Sequence, residues 1–273
     1  MNGKLYLVST PIGNLKDISF RAIEMLKSVD YIACEDTRHS MILLQNYDIK
    51  SKLIAYHKNN EKNSAQGIID LLLNGKNVAV ISDAGMPVIN DPGNVIVKKA
   101  IEENIDYTII PGANAGLCAL VLSGYDADSF AFFGFLSEKI SERNIQLQKI
   151  KAFEGSRIIY SSVHNINKDL EALFSYLGDN EVCVVSEISK MYEKVIFFDL
   201  SNAHIENPKG EFVIVVKYVQ NSQNALTDEE IIERIDDYIK KGVKKSDAIK
   251  FVSTSVEKTK SEVYNLYEKY LGK

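Results

Sequence analysis

The stretch Val78-Ala79-Val80-Ile81-Ser82-Asp83-Ala84-Gly85-Met86-Pro87, continuing to Asp91-Pro92-Gly93, decides how this chain folds. Val78 to Ile81 is an apolar run of strand length that ends abruptly in small, polar and turn-forming residues, and it reads as a buried strand. Asp91-Pro92 then opens a helical pattern, with Asp91 expected as the N-cap and Pro92 at the first helical position. A loop at the carboxyl end of a parallel strand, running into a helix start, is where open α/β sheets bind ligands. Gly85 and Gly93 let the backbone approach a ligand closely, while Pro87 and Pro92 stiffen the loop. An ordinary strand-to-helix connection has the same outline, so this loop alone leaves both readings open.

Two other loops repeat the pattern. Thr10-Pro11-Ile12-Gly13-Asn14 follows the apolar run Leu5 to Val8, and Pro111-Gly112-Ala113-Asn114-Ala115-Gly116 follows Tyr107 to Ile110. Of the five prolines, only Pro208 lies outside these three loops. Rigid Pro/Gly loops at successive strand ends resemble a prepared crevice more than a set of unrelated turns.

Outward from these loops the first part alternates strand and helix. Strands are expected at Leu5–Val8, Tyr31–Cys34, Leu53–Tyr56, Val78–Ile81 and Tyr107–Ile110. Helices are expected over 17–29, 39–47, 64–73, 92–103 and 115–122. This order predicts a mostly parallel sheet with helices on both faces, an α/β fold. A second α/β region, more antiparallel, begins near the aromatic run Phe130–Leu136, with strand signals at 157–160, 182–186, 194–198 and 212–217 and a helix over 167–176. After a polar linker at 220–225 the chain is helical, and Thr227 with Glu230 forms a capping box. The expected domains are 1–127, 128–219 and a helix-turn-helix-like appendage at 226–273.

At 273 residues the chain can bury a full core. No run of about 18 apolar residues exists, so no membrane span or membrane partner is expected. The N-terminus enters a strand at once without signal-peptide architecture, and the three cysteines are odd in number and isolated. Reduced packing cysteines in a cytoplasmic protein are the expectation. The four histidines are too scattered for a metal site. A net charge of −5 argues against wide nonspecific nucleic-acid binding but leaves room for a local basic patch, such as the lysines between 240 and 260.

Several grips on a cofactor are excluded. No Gly-x-x-x-x-Gly-Lys-Ser/Thr is present, and no Gly-x-Gly-x-x-Gly follows the first strand. That excludes a P-loop and weighs against a Rossmann dinucleotide site. A nucleoside with an uncharged or cationic tail, held by backbone groups in a cleft, fits the loops better.

Leu5 to Asn14, Glu35-Asp36-Thr37-Arg38-His39, Ser82 to Pro87 with Asn90 to Gly93, Pro111-Gly112, Gly134-Phe135-Leu136 and Lys209-Gly210-Glu211 occur in an order that resembles one family. It is the tetrapyrrole methylase superfamily and, within it, the bacterial enzymes that methylate the 2′-hydroxyl of a cytidine in small-subunit (16S) rRNA. The resemblance covers residues 3 to about 217. It implies two αβα domains with S-adenosylmethionine in the cleft between them, a homodimer, and 16S rRNA within the small ribosomal subunit as partner. By position it implies cofactor contacts from Pro11, Asp83, Ala84, Gly85, Met86, Pro87, Ile89, Asn114, Ala115 and Tyr160. Gly13, Asn14 and Arg38 fall on the substrate side. The sequence departs from the family pattern at Met86 and Asn114, where Thr and Ser are usual. Ser161 stands for a Glu, and Asn165 and Ser186 each stand for an Arg.

Methyl transfer from a sulfonium needs alignment of donor and acceptor, which can supply roughly 7–11 kcal/mol, and a base for the ribose hydroxyl. Asp36, Glu35 and His164, with Asp83, are the candidate bases by their place near strand ends. Arg38 is a candidate phosphate ligand, with an internal ion pair to Glu35 or Asp36 as its alternative. Tyr125, Phe132, Phe133 and Phe135 are aromatic candidates for stacking a flipped base, or for the core. A methyltransferase of the same fold acting on another RNA or a tetrapyrrole, and a noncatalytic ribosome-binding protein, remain open.

Overall fold

Five four-residue strands, β1 (Leu5–Val8), β2 (Tyr31–Cys34), β3 (Lys52–Ala55), β4 (Val78–Ile81) and β5 (Tyr107–Ile110), pair in parallel in the order β3-β2-β4-β1-β5. The computed structural model describes residues 2–56, 61–219, 227–256 and 258–272, and the polar linker expected at 220–225 lies outside them. All four residues of β4 are buried, as its unbroken apolar run requires of a central strand covered on both faces.

The two faces are covered by different helices. Leu5, Leu7, Val78 and Val80 point toward α3 (Glu61–Leu73) and α4 (Asn94–Glu102), where Ile68, Leu72 and Ile96 meet them. Val8, Ala79, Ile81 and Ile110 face α1 (Phe20–Ser28) and α2 (Thr37–Asn46), through Ala22, Leu26 and Leu44. Each fully buried side chain of this kind contributes about 1.5–3 kcal/mol. The connection leaving β1 passes through α1 on one face, and the one leaving β4 passes through α4 on the other. Adjacent parallel strands whose loops part to opposite faces leave a crevice at their carboxyl ends. That is the switch point of this sheet.

From β5 the chain enters α5 (Ala115–Ser123), whose Ala119 and Leu120 pack on a second sheet with Ile158, Cys183, Val185, Val213 and Val215. This sheet joins β6 (Phe130–Phe135), β7 (Ser156–Ser162), β8 (Glu181–Ser186), β9 (Lys194–Asp199) and β10 (Glu211–Val216) in the order β6-β7-β10-β8-β9. Only β6 and β7 run parallel; the other pairs are antiparallel. Its other face packs on α6 (Ile140–Ala152) and α7 (Ile166–Leu177) through Leu147, Ile150, Leu170 and Leu173.

Residues 219–273 form a separate compact unit. In it α8 (Asp228–Lys240), α9 (Lys245–Ser255) and α10 (Lys260–Leu271) bury Ile231, Ile235, Ile249, Val252, Val263 and Tyr267 together. The Thr227–Glu230 capping box is present, and Thr259 with Glu262 makes a second.

Three expectations are corrected. Asp91-Pro92 does not start α4; the helix begins at Asn94, with Gly93 as N-cap and no side-chain cap. Val88 and Asn90 take left-handed backbone (φ 77° and 69°), which folds the chain back before the helix and turns 90–91 toward the crevice. Asp17 belongs to a short 3-10 turn, and α1 instead starts after Ser19, whose hydroxyl accepts the Ala22 N–H at 3.1 Å. Helix α6 was not expected at all: Leu147 and Ile150 are buried while Ile140 and Ile145 are exposed, so its apolar residues trace no stripe.

Candidate active site

The crevice at the ends of β1 and β4 is walled by two loops locked to each other. The Thr10 N–H donates to the Gly85 carbonyl at 2.8 Å, and the Gly85 N–H donates back to Thr10 at 3.1 Å. The Ser82 hydroxyl donates to the same Gly85 carbonyl at 2.9 Å. Val88 and Asn90, both non-glycine and left-handed, store about 1–3 kcal/mol each, the kind of strain that collects at ligand sites.

Two clefts open here. The larger, about 410 Å³, is lined from one side by Asp83, Ala84, Gly85, Met86, Ile89, Asn114 and Ala115. Tyr160 on β7 and Gly210 to Val213 at the start of β10 close the other side. The smaller, about 290 Å³, is lined by Thr10, Pro11, Gly13, His39, Ser40 and Lys190 among others. Asp83 borders both clefts.

Eight of the ten expected cofactor residues therefore meet in the larger cleft. Pro11 sits in the smaller one, and Pro87 is buried in the loop away from both. On the substrate side, Gly13 lines the smaller cleft. Asn14 lines neither; its side chain accepts the Lys16 N–H at 3.1 Å as the cap of the 3-10 turn. Arg38 is exposed and pairs with the Asp36 carboxylate at 3.2 Å, the pairing weighed as its alternative role. Its hydrogen bond to Asp36 is the main cause that lowers the Asp36 pKa.

Of the candidate bases, Glu35 and His164 line neither cleft, and His164 is exposed. Asp36 caps α2 with its side chain, and its backbone N–H donates to Asp83 Oδ1 at 3.3 Å. Asp83 is the one of the four in reach of both spaces. Among the aromatic candidates, Phe135 lines the larger cleft. Phe132 and Phe135 stack edge-on to Tyr160, with ring centres 4.7 and 5.6 Å away. The Tyr160 hydroxyl accepts the Gly116 N–H at 3.1 Å in the first turn of α5. Burial raises the Tyr160 pKa, against the opposing effect of that hydrogen bond.

Ile12, Asn90, Asp91, Ser162, Val163 and Glu211 also line the larger cleft, and sequence reading did not assign them to it. Asn90-Asp91 and Gly210-Glu211 stood inside the motifs that carried the resemblance, so a signal existed. Asp83, Asp91 and Glu211 place three carboxylates in this wall, and of these Glu211 is paired with the Lys190 ammonium at 3.1 Å. With Ile12, Met86, Ile89, Phe135 and Val213 around them, the cleft suits a ligand with an apolar ring and a cationic end. Among the described residues, no group of three or more His, Cys, Asp and Glu side chains is placed to hold a metal ion.

Residues 4–204 match the family model for tetrapyrrole (corrin/porphyrin) methylases. The chain belongs to the tetrapyrrole methylase family. Its relatives include the ribosomal RNA small subunit methyltransferase I of Bacillus subtilis, 40% identical over 97% of this chain and 94% of that protein. The enzyme of the same name from Halalkalibacterium halodurans is 38% identical with the same coverage. A third, from Mycoplasmopsis pulmonis, is 44% identical over 78% of this chain and 96% of its own length. Among solved structures, diphthine synthase superposes with a TM-score of 0.61 at 14% identity, covering 78% of this chain and 89% of that one. Uroporphyrin-III-C-methyltransferase from Thermus thermophilus gives 0.58 at 17%, covering 79% and 94%. Those two likenesses concern the fold, and tetrapyrrole methylase architecture accounts for both sheets. The family takes its methyl group from S-adenosylmethionine, whose sulfonium and α-ammonium supply the cationic end that the acidic cleft suits.

Proposed function

We propose that this chain transfers a methyl group from S-adenosylmethionine to the 2′-hydroxyl of a cytidine in small-subunit (16S) rRNA, in the assembled subunit and in the cytoplasm. The observation that carries the reading is near full-length similarity to small-subunit rRNA methyltransferases, in a chain whose acidic cleft shares Asp83 with a second cleft.

Asp83 to Met86, Ile89, Asn114, Ala115 and Tyr160 hold the cofactor, largely through backbone and apolar contact, with Pro11 and Pro87 shaping the loops. Bound there, S-adenosylmethionine supplies an electrophilic methyl group. Asp83 accepts the proton of the acceptor hydroxyl, a contribution of about 10²–10⁴ in rate. Asp36 orients it through its backbone N–H and is a positioning residue. Glu35 and His164 have no part in this scheme. Gly13 and Asn14 shape the acceptor side. Arg38 lies at its edge, and a solvent-exposed ion pair holds weakly enough for its guanidinium to exchange Asp36 for an RNA phosphate.

The assembly we propose is a homodimer. Apolar side chains are exposed on α5 (Leu117, Val121) and on the edge strands β5 (Tyr107, Ile109) and β9 (Val195, Phe197), area that a second copy would cover.

The test uses small ribosomal subunits lacking 2′-O-methylcytidine, incubated with the protein and isotopically labelled S-adenosylmethionine, with the rRNA mapped by nuclease digestion and mass spectrometry. Label on one cytidine ribose is the expected result. Binding of S-adenosylmethionine without label would reject this acceptor.

A further inference from the structure

We propose that Lys190 is the acceptor-side cation of the smaller cleft, binding the RNA phosphate next to the ribose that receives the methyl group. The inference rests on the methyltransferase reading above and deepens it.

The local structure converges on this one side chain. After β8 the chain makes a tight turn in which Glu187 and Ser189, neither of them glycine, both take left-handed backbone (φ 52° and 67°). The turn crosses to the first sheet's loops, where the Ser189 hydroxyl donates to Asp17. The stem of Lys190 then lies over Gly13, where any Cβ would come within 2.5 Å of Lys190 Cγ. At the other end, the Glu187 carboxylate fills the space a side chain at Gly210 would need. Lys190 thus lines the smaller cleft, and its ammonium lies 3.0 Å from Glu187 and 3.1 Å from Glu211, a residue of the larger cleft's wall.

An ammonium has three N–H donors. Two are used by the carboxylates, and the third is the donor assigned here to the phosphate. Glu211 is 79% exposed, so its bond yields readily to a phosphate oxygen, whereas Glu187 is 24% exposed and keeps the side chain in place. Thr10, Pro11 and Gly13 contribute neutral walls, and Asp83 stands where this cleft meets the cofactor cleft. A phosphate on Lys190 thus holds a nucleotide with its ribose toward Asp83.

Lys190→Met keeps the stem over Gly13 and removes the charge, and Lys190→Arg restores charge. For each, the KM for small subunits, its dependence on salt, and binding of subunits in the presence of S-adenosylhomocysteine are measured. Calorimetric S-adenosylmethionine affinity and melting temperature serve as controls. Lys190→Met should raise KM about tenfold, the loss expected for one charged hydrogen bond. It should also lower the slope of log KM against log salt by about 1, the signature of one lost phosphate contact. Cofactor affinity should stay within about twofold, and Lys190→Arg should recover part of the loss. An unchanged salt slope, or parallel loss of cofactor and subunit binding, overturns the assignment while wild-type activity leaves the broader reading intact. Wild-type protein that binds cofactor and labels no subunit overturns both.

Discussion

At position 85 the backbone turns through φ 79°, and a Cβ there would meet Ile12 Cγ2 at 3.1 Å and the Ala113 carbonyl at 3.3 Å. A side chain at this point pushes the three strand-end loops apart and also carries about 1–2 kcal/mol of left-handed strain. Gly85→Ala should therefore lower S-adenosylmethionine affinity at least tenfold, by calorimetry, while the protein still unfolds in one cooperative transition. Normal affinity would remove this loop from the cofactor site. The Glu187–Lys190 pair yields a pH prediction. Burial opposes ionisation of Glu187, but the Lys190 hydrogen bond and the Glu211 N–H outweigh it and leave the pKa below the ordinary 4.5. A lowered carboxylate pKa adds stability that is present above 4.5 and lost as pH falls through the folded-state value. Wild type should accordingly lose more stability than Glu187→Gln on acidification below 4.5, read by urea unfolding at a series of pH values. Parallel curves would show that the pair adds nothing. At this scale Asp83 and Gly85 were legible, because a strand end and its loop are adjacent in sequence. Lys190 lies outside the strand-end loops that the sequence singles out; its place beside Gly13 is set by the turn after β8, more than a hundred residues away.

Elements carry the departures from the family pattern. Ser161, where that pattern has Glu, donates to the Asp169 carboxylate at 2.6 Å, and Arg143 pairs with the same carboxylate at 3.0 Å. The charged pair beside the end of β7 is thus supplied by α6 and α7. Burial raises the Asp169 pKa, against the Ser161 hydrogen bond and the Arg143 charge. Asp169→Ala leaves a guanidinium and a hydroxyl without their partner and should destabilise the protein by about 3 kcal/mol in urea unfolding. That is the low end of the usual range, because the Arg143 side chain keeps 20% of its exposure. A loss under about 1 kcal/mol would mean that water replaces the carboxylate. Reading α6 from sequence failed because only its tertiary partners make Leu147 and Ile150 the inner side. Asp91-Pro92 misled for a different reason: the dipeptide has cap chemistry, but the chain uses Asp91 in the cleft wall.

Over the whole molecule, the larger cleft draws on both sheets within residues 1–218, while residues 219–273 have a hydrophobic core of their own. Three of the lysines that looked like a basic patch are paired: Lys241 with Asp237, Lys245 with Glu268 and Lys258 with Asp228. Removing residues 226–273 should leave S-adenosylmethionine affinity within about twofold, since no residue of the cleft is lost, and should reduce modification of small subunits more strongly. Equal loss of both, by calorimetry and by label incorporation, would make the C-terminal unit a structural support.

Sequence by itself determined the parallel sheet, the three rigid loops and the Thr227–Glu230 capping box, because each rests on residues close together in the chain. Apolar runs choose strands, prolines and glycines choose loop shapes, and Thr-x-x-Glu satisfies a helix start locally. Only tertiary structure decided which carboxylates share a cleft, that Asp83 borders two clefts, and that Lys190 reaches one of them. Those facts depend on strand order and on the packing of α5 against the second sheet, where residues far apart in the chain meet to bury common apolar surface.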